Sequence, residues 1–224
     1  MSKPTRGMRA DGEQTRSRIL EAAGPLFAAH GYAETTSKAI AEQAGVDLAS
    51  INYHFGSRSG LYQAVLTEAH GRVIKLEALR QLADSSLPPA DKLRRLIETL
   101  IDTALSDGVW HARILARELL APSSHLKVLL DIEVQPKLAI VARILSELTG
   151  IPLGDPALLR CIVSIAAPGL MLLVAGNGLP GPAQLVRQMP RDEIVAHMHR
   201  FALAGLEAVG RAHTQSGKSE AQAT

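Results

Sequence analysis

The chain has 224 residues with 24 basic and 22 acidic side chains, so its formal net charge at pH 7 is only +2. A balance this even does not by itself indicate binding to nucleic acid, and the single cysteine, Cys161, excludes an intrachain disulfide and a cysteine-rich metal site. Aromatic residues make up only 3% of the chain. Because strands favour aromatic and β-branched side chains, this composition favours helices.

The basic side chains are concentrated at the start of the chain. Residues 1–18 contain five of them and two acidic ones. We expect residues 1–12 to form a disordered basic arm, whose charge fits either a solvated tail or an arm that follows a phosphate backbone. No apolar stretch of a secretory signal accompanies these charges, which predicts a cytoplasmic protein. The most apolar run, 162–175, is too short for a membrane span, so no membrane association is expected.

Three short helices are predicted next, over 13–31, 38–44 and 48–54. Gly31 and Gly45 are typical stop residues for the first two. Thr36 or Ser37 can cap the second helix, and Asp47 can cap the third.

Longer helices follow in the remaining two thirds of the chain. Ser57 can cap one long helix from Arg58 to Leu82, in which Gly71 is the weak point. Further helices are predicted over 91–106, 110–120, 124–148, 155–175 and 191–211, separated by the break at Asp107-Gly108 and the loop 176–182. The small, polar tail from Thr214 is expected to be disordered. No alternating strand pattern is present, so the prediction is an all-α fold of about nine helices.

The second and third helices have the spacing of a helix-turn-helix unit. Ala41 is small enough for two helices to touch there, and Gly45 tolerates the positive φ of the turn. The outward face of the third helix then carries a short mixed surface that could enter a major groove, formed by Leu48, Ala49, Ser50, Asn52 and Tyr53. On spacing alone, an ordinary helical hairpin remains a serious alternative.

The residues themselves are more specific than the spacing. The stretch contains Thr35-Thr36, Ile40-Ala41, Ala44-Gly45-Val46, Ile51 and His54-Phe55, with Arg58 ahead of Leu61-Tyr62. The first helix carries Arg16, Ile19, Ala22-Ala23, Phe27 and Gly31-Tyr32. Over the first third of the chain, this pattern resembles the signature of the TetR family of transcription regulators. The run Ile51-Asn-Tyr-His-Phe-Gly-Ser57, together with Arg117-Glu118-Leu119, resembles one subgroup of that family.

The resemblance implies a division of roles at the DNA. Phosphate contacts would come from Thr36, Ser37, Tyr53, His54 and Arg58, with Lys38 beside them, and base contacts from Leu48, Ala49, Ser50 and Asn52. Asn52 is the leading candidate for a hydrogen-bonded adenine. His54 could equally pack on its neighbours, and both roles can coexist.

Three positions depart from the family's pattern. Many members have glycine in place of Ala49 and tyrosine in place of Asn52, so the contacts of that tyrosine do not transfer. Many also have an acidic residue early in the fourth helix, where this chain has Ser59-Gly60. Glycine costs about 1 kcal/mol in a helix interior and less in a first turn.

The resemblance also implies a C-terminal domain that dimerises and holds a small molecule. The predicted organisation is a helix-turn-helix domain over 13–60, a helical regulatory and dimerisation domain over 61–212, and a disordered tail over 213–224. The last two helices, 155–175 and 191–211, would pair with those of a second copy. Candidates to line a ligand cavity are His70, Thr103, Trp110, His111, Arg113, Arg117 and Glu118. Arg117 leads them because it lies in an otherwise apolar helix.

Two motifs that mimic other chemistry are rejected. Gly176-Asn-Gly-Leu-Pro-Gly181 has the letters of a dinucleotide fingerprint but no flanking strands. His197 and His199 lie on different faces of a helix, which is poor metal geometry. We therefore expect no enzyme activity, metal or cofactor.

The predicted function is that of a repressor, a homodimer released from a palindromic double-stranded DNA operator by an unidentified small-molecule effector. The alternatives are a regulator of the same fold without a small-molecule input and, remotely, a nucleotide-dependent enzyme built on the glycine-rich loop.

Overall fold

The structure is a computed structural model that describes residues 6–106, 110–176, 178 and 180–222. In these ranges all regular structure is helical, which confirms the all-α prediction. The α-helices are α1 (Arg6–Glu34), α2 (Ser37–Ala44), α3 (Leu48–Phe55), α4 (Arg58–Val73), α5 (Leu76–Asp84), α6 (Pro89–Leu105), α7 (Trp110–Leu120), α8 (Leu126–Leu129), α9 (Gln135–Thr149), α10 (Pro156–Ala175), α11 (Pro182–Arg187) and α12 (Arg191–Gln222). A π-helical segment, Leu130–Val134, joins α8 to α9.

The predicted caps of the short helices are confirmed. The Thr36 hydroxyl accepts a hydrogen bond from the backbone N–H of Ala39 at 3.1 Å, which starts α2. Gly45 ends that helix in the left-handed conformation, with φ 62°. Gly31 lies inside the range of α1 but has φ 80° and ψ 175°, so the helical conformation is interrupted where the stop was predicted.

The prediction of one long helix from Arg58 to Leu82 is wrong. Helix α4 ends at Val73, and Lys75 has an extended backbone, with ψ 133°, before α5 begins at Leu76. Gly71, Val73 and Ile74 have low helix propensity, so little is lost by breaking the helix here. A single rigid helix therefore cannot carry motion from residue 58 to residue 82.

Three other boundaries differ from the predictions. The helix predicted over 124–148 is divided by the π-helical segment just before Pro136, which lies in the first turn of α9, where its missing N–H costs no hydrogen bond. Helix α11 adds a short element after the predicted loop 176–182. Helices α1 and α12 extend into segments expected to be disordered, beginning at Arg6 and ending at Gln222. The predicted break at residues 107–108, and residues 177 and 179 of the loop, lie outside the described residues.

The chain forms two compact units. Unit 1 comprises the described residues of 1–72 and 108–129, which hold α1 to α4, α7 and α8. Its core is apolar and draws on every long helix of the unit, with Ile19, Phe27, Ile40, Ile51, Leu61, Val65, Leu66 and Ile114 among the buried side chains. The helix-turn-helix segment thus shares its core with α4 and α7, while the functional boundary at residue 60 stays a prediction.

Unit 2 comprises the described residues of 73–107 and 130–224, with α5, α6 and α9 to α12. Its core includes Leu79, Ala83, Leu96 and Ile144. A buried lysine, Lys92, reinforces it, because its Nζ donates to the backbone oxygen of Ala83 at 2.7 Å and to Glu147 Oε2 at 3.0 Å. The amine thereby satisfies a carbonyl at the end of α5.

Helix α10 is long and apolar enough to cross a membrane by length and composition alone. In unit 2 this helix contacts α6, α9 and α11 and buries nine of its residues, Cys161 and Ile162 among them. A core helix of a soluble protein has the same composition, so the helix is weak evidence for a membrane.

Helices α9 and α12 approach each other too closely for a side chain at Gly210. A Cβ there would lie 2.4 Å from the backbone oxygen of Thr149. We expect Gly210→Ala to lower the free energy of unfolding by about 1–3 kcal/mol, because the two helices must move apart. Chemical denaturation measures the change.

Gly71→Ala is the matched control for this stability experiment. Gly71 also lies inside a helix, but no atom lies within 4 Å of where its Cβ would be. Adding the methyl group should raise the free energy of unfolding by about 0.5–1 kcal/mol. A Gly210→Ala protein as stable as the parent would contradict the close approach of α9 and α12.

Candidate DNA-binding surface

Helix α3, the predicted recognition helix, begins at a well-defined cap. Asp47 Oδ1 accepts hydrogen bonds from the backbone N–H of Ser50 at 2.8 Å and from its hydroxyl at 2.6 Å. These two bonds lower the pKa of the Asp47 carboxyl, so the carboxylate persists as the cap at neutral pH. The Ser50 hydroxyl donates to this cap, so only its lone pairs are available to another group.

The outward face of α3 is open to solvent, as its periodicity predicts. Ile51 points inward and is 1% exposed, whereas Tyr53 is 85% and Leu48 49% exposed. Ala49 and Asn52 are also exposed. The surface therefore combines an amide, a phenol and two apolar side chains on little more than two turns of helix.

Helix α2 precedes this surface in the sequence, and the start of α2 carries three of the predicted phosphate-contacting residues. One of their polar side chains is already used to cap the helix. Thr36 is exposed and caps the helix, Ser37 is half-buried, and Lys38 is exposed. Lys38 Nζ lies 3.9 Å from Glu42 in a solvent-exposed pair, which is weak enough to exchange for a phosphate.

The end of α3 carries a row of aromatic rings. The Tyr53 and His54 rings meet edge to face, with their centroids 5.0 Å apart. The guanidinium of Arg16 lies 5.2 Å from the centre of the Phe55 ring. His54 is half-buried between Tyr53 and Phe55, so it packs on its neighbours while part of its ring stays accessible.

Arg58 is held inside unit 1. Its Nη1 donates to the backbone oxygen of Thr35 at 2.9 Å, and its guanidinium lies 4.4 Å from the centre of the Tyr32 ring. The Thr35 hydroxyl donates in turn to the Gly31 backbone oxygen at 2.8 Å. Arg58 therefore joins the first residue of α4 to the connection between α1 and α2, in addition to any phosphate contact.

Position 60, one of the departures from the family's pattern, requires a glycine for steric reasons. A Cβ at Gly60 would lie only 2.1 Å from the backbone oxygen of Phe55. The Ser57 hydroxyl accepts from the Gly60 N–H at 3.0 Å and completes the predicted cap. The first turn of α4 thus packs directly on the last residue of the recognition helix, and glycine is what allows it.

The candidate ligand residues are distributed over both units. Thr103 lies in unit 2, where its hydroxyl donates to the Thr99 backbone oxygen at 2.9 Å. His70, Trp110, His111, Arg113 and Arg117 lie in unit 1. Their role in a ligand cavity stays a prediction.

Within unit 1, α7 uses several of these side chains to pack on α1 and α4. The guanidinium of Arg72 lies 5.3 Å from the centre of the Trp110 ring, and a Cβ on Gly24 would lie 2.4 Å from that ring. Arg117 is exposed, and its Nη2 donates to the backbone oxygen of His30 at 3.3 Å. Arg117 therefore has a packing role at the end of α1.

Two buried polar groups in unit 1 have no hydrogen-bond partner among the described residues. They are the side-chain amide of Gln63 and Nδ1 of His111. Burial, and then the charge of Arg72, lower the pKa of His111, so its ring is neutral at pH 7. Unsatisfied groups of this kind are suited to a polar ligand or an ordered water.

The sequence ranks Arg117 ahead of Glu118 as a candidate cavity residue, whereas the structure buries Glu118 and leaves Arg117 exposed. Glu118 is 3% exposed and accepts a hydrogen bond from the Tyr62 hydroxyl at 2.5 Å. Helical spacing was the available signal, because residues 111, 114, 115 and 118 share one face of α7, whereas Arg117 lies off it.

Unit 2 contains an apolar groove of about 620 Å³ between α10 and α12, with α6 as its floor. Arg160, Ser164 and His197 are its polar residues, and Cys161, Met198 and Phe201 are among the apolar ones. None of the predicted ligand residues lines it. No group of three or more metal-ligating side chains occurs in the part of the chain that the structure describes.

Two family models match the chain. Residues 19–65 match the model of bacterial regulatory proteins of the tetR family. Residues 89–209, more than half of the chain, match the C-terminal domain of the HTH-type transcriptional dual regulator CecR.

Named relatives and solved structures agree with these models. The chain is 31% identical to the HTH-type transcriptional regulator TtgR of Pseudomonas putida over 103 residues, which cover 46% of this chain and 49% of TtgR. It is 27% identical to CecR of Shigella flexneri over 158 residues, 66% of this chain and 70% of CecR. The match thus spans about half the length of TtgR and more of CecR.

The fold has close counterparts among solved structures. The transcriptional regulator FadR of Bacillus subtilis, crystallised in complex with stearoyl-CoA, superposes with a TM-score of 0.67 over 84% of this chain and 98% of FadR, at 18% identity. The capped, outward-facing α3, the two family models and this likeness in fold lead to the same conclusion. The chain belongs to the tetR family of bacterial regulatory proteins and has a C-terminal domain of the CecR type.

Proposed function

We propose that the protein is a DNA-binding transcription regulator, a repressor that a small-molecule ligand releases from a palindromic operator. The observation that carries the proposal is the open face of α3, where Leu48, Asn52 and Tyr53 are exposed on a helix that Asp47 caps. A short exposed helix of this kind fits a major groove. Selection of duplexes from a random-sequence library, followed by gel shift, tests the proposal, because a regulator enriches one palindromic sequence.

We assign base contacts to Leu48, Ala49, Ser50 and Asn52, and phosphate contacts to Thr36, Ser37, Lys38, Tyr53, His54 and Arg58. We also assign the chain to the subgroup with the run from Ile51 to Ser57 and the Arg117-Glu118-Leu119 motif. The relatives carry the names of transcriptional regulators, which supports a non-enzymatic, cytoplasmic role without a cofactor.

Asn52→Ala and Tyr53→Phe should affect DNA binding differently. Loss of a base contact at Asn52 should cost about 1–3 kcal/mol and relax the preference at one operator position. Loss of the Tyr53 hydroxyl should weaken binding to all sequences alike, because phosphates are the same everywhere. Fluorescence anisotropy with the selected duplex, its single-base variants and a scrambled duplex measures both effects.

Gln184→Ala, an exposed amide in α11, is the control for Asn52→Ala and should leave every affinity unchanged. If Asn52→Ala and Tyr53→Phe both reduced specific and non-specific binding by one common factor, the division of roles on α3 would be wrong.

We infer that a second copy of the chain covers the groove of unit 2. Phe201 and Val209 of α12 line the groove and are exposed, and α10 exposes four further large apolar side chains, Leu159, Val163, Leu170 and Met171. Leu159, Val163 and Leu170 share one face of α10 by helical spacing, and a soluble protein rarely leaves such an apolar face open. A symmetric partner buries it and supplies a second recognition helix for a half-site about one helical turn away.

Phe201→Glu should convert the dimer into a monomer and abolish tight operator binding. Phe201 is 76% exposed and lines the groove, so a buried carboxylate there would oppose association. Sedimentation at micromolar concentration measures the oligomeric state. Leu185→Glu, at a side chain that is 64% exposed but outside the groove, should remain dimeric. A parent protein that sediments as a monomer yet binds the operator tightly would overturn the dimer.

The ligand proposal depends on differential affinity, since a ligand weakens DNA binding only if it favours the state with wrongly spaced recognition helices. FadR of Bacillus subtilis was crystallised with stearoyl-CoA. Small, largely apolar molecules are the first class to screen, and acyl-CoA, which joins an apolar chain to a polyanionic headgroup, is the second. The predicted lining residues remain His70, Thr103, Trp110, His111, Arg113 and Arg117.

A ligand found by thermal-shift screening should loosen operator binding roughly 5–150-fold. Arg117→Ala should reduce this effect if Arg117 lines the cavity, whereas Arg95→Ala, at an exposed position of α6, should not. Titration of the operator with and without ligand decides the matter. Stoichiometric binding that leaves operator affinity unchanged would contradict induction by that ligand, and the absence of any ligand would favour the ligand-independent regulator.

A further inference from the structure

Glu118 is a buried carboxylate that accepts three hydrogen bonds within unit 1. The Tyr62 hydroxyl donates to Oε1 at 2.5 Å, and the backbone N–H and hydroxyl of Ser123 both donate to Oε2 at 3.1 Å. Burial, followed by the bond to Glu118, raises the pKa of Tyr62 far above its ordinary value. The phenol therefore stays protonated and serves as a permanent donor to the carboxylate.

The bonds continue from Ser123 to the start of α4. His125 Nδ1 lies 3.3 Å from the Ser123 hydroxyl, and His125 Nε2 lies 2.8 Å from the Ser59 hydroxyl. Because the Ser123 proton is directed to Glu118, His125 Nδ1–H donates to Ser123, and in this tautomer Nε2 accepts from the Ser59 hydroxyl. Tyr32 and Tyr62 hold the imidazole between them, with ring centroids 4.9 Å and 5.1 Å from it. We call Glu118, Tyr62, Ser123, His125 and Ser59 the Glu118 network.

Apolar packing would stabilise this part of unit 1 without a carboxylate. Burial of a charge is expensive, and well-packed hydrophobic side chains often replace buried ionic groups without loss of stability. Hydrogen bonds differ from apolar contacts in that they fix direction and distance. A fully bonded polar network therefore defines one geometry where apolar packing tolerates several.

The geometry that this network defines is that of the junction between α4 and the recognition helix α3. Ser59 lies in the first turn of α4, beside Gly60, whose Cα packs directly against the backbone of Phe55 at the end of α3. A shift of Ser59 must therefore displace the end of α3. On the other side, Glu118 and Ser123 lie at the end of α7 and just after it, so the network joins α7 to the α3–α4 junction.

We propose that the Glu118 network is a positioning device for the recognition helix, in which no member touches DNA and Ser59 passes on the position set by Glu118 and His125. The inference rests on the proposed DNA-binding function. When the network is broken, α3 should sample several orientations, and base contacts suffer first because they require the closest fit. Phosphate contacts should persist, because the charges are unchanged.

The test uses the full-length protein and the duplex selected with the parent protein. Ser59→Ala removes one exposed hydroxyl, and His125→Phe keeps the ring but loses its hydrogen bonds. Each should weaken operator binding roughly three- to tenfold, the range of one lost hydrogen bond. Binding to a scrambled duplex and its salt dependence should not change. The double variant should be no weaker than the weaker of the two single variants, because both break one link.

Glu118→Gln breaks the Glu118 network at a second place. A control variant separates an effect on the position of α3 from an effect on the stability of the protein. A glutamine has only one acceptor oxygen, so it cannot accept from both Tyr62 and Ser123 as the two carboxylate oxygens do, and this variant should lose operator affinity as well. His199→Phe removes a comparable histidine bond, to the Ala90 backbone oxygen at 2.9 Å in unit 2, and should leave operator affinity unchanged. His125→Gln, whose amide can reach Ser59, should restore part of the affinity. All affinities are measured at a temperature well below the lowest melting temperature among the variants.

Each outcome bears on the inference. Unchanged operator affinity in folded Ser59→Ala and His125→Phe proteins would overturn it while leaving the proposed function intact. Equal losses on the operator and the scrambled duplex, additive in the double variant, would overturn it in favour of a direct phosphate contact. If Glu118→Gln does not fold, the two milder variants decide. A parent protein that selects no preferred duplex would overturn the proposed function itself.

Discussion

The approach of α4 to the end of α3 is the constraint on which the DNA-binding unit depends. An isolated helix as short as α3 is unstable in water, so its position comes from what it packs against. A side chain at Gly60 would collide with the Phe55 carbonyl, which means that the two helices meet at backbone distance. Helix α4 is in turn fixed by Arg58 at its first residue and by Tyr62 one turn later. Contacts outside α3 itself, with Thr35 and with Glu118, therefore hold the helix against which α3 packs.

Unit 2 achieves its packing by a different means. Its helices approach through small residues and apolar surfaces, as where Gly169 lies against Leu100 and Gly210 against Thr149. Its α10 is apolar on nearly all sides, buries one side in the unit and exposes the other beside the groove. Such surfaces adapt to small displacements, which suits a unit proposed to bind a second copy and a ligand. The directed hydrogen bonds of the Glu118 network suit a unit that must present one geometry.

Buried charged residues are present in both units, and their partners explain them. Lys92 reaches a carbonyl at the end of α5 as well as Glu147, and Glu118 accepts bonds from Tyr62 and Ser123. A charged side chain at an apolar position of a helical pattern is the sequence signal for such a site. The signal does not name the partners, because one partner of each, Glu147 or Tyr62, comes from a helix more than 50 residues away in the chain.

The sequence by itself determined the features that depend on neighbours along the chain. The Thr36 and Asp47 caps, the Gly45 turn and the inward Ile51 all follow from local patterns, because capping and helical periodicity act over about four residues. The α4–α5 break was missed because weak propensities at Val73 and Ile74 do not stop a helix unless the surrounding packing favours it. Only the tertiary structure decided that Gly60 is a steric necessity, that Arg117 packs on His30, and that Glu118 is the buried group of α7. The first depends on the exact path of the turn between α3 and α4, and the other two depend on atoms that folding brings together from distant parts of the chain.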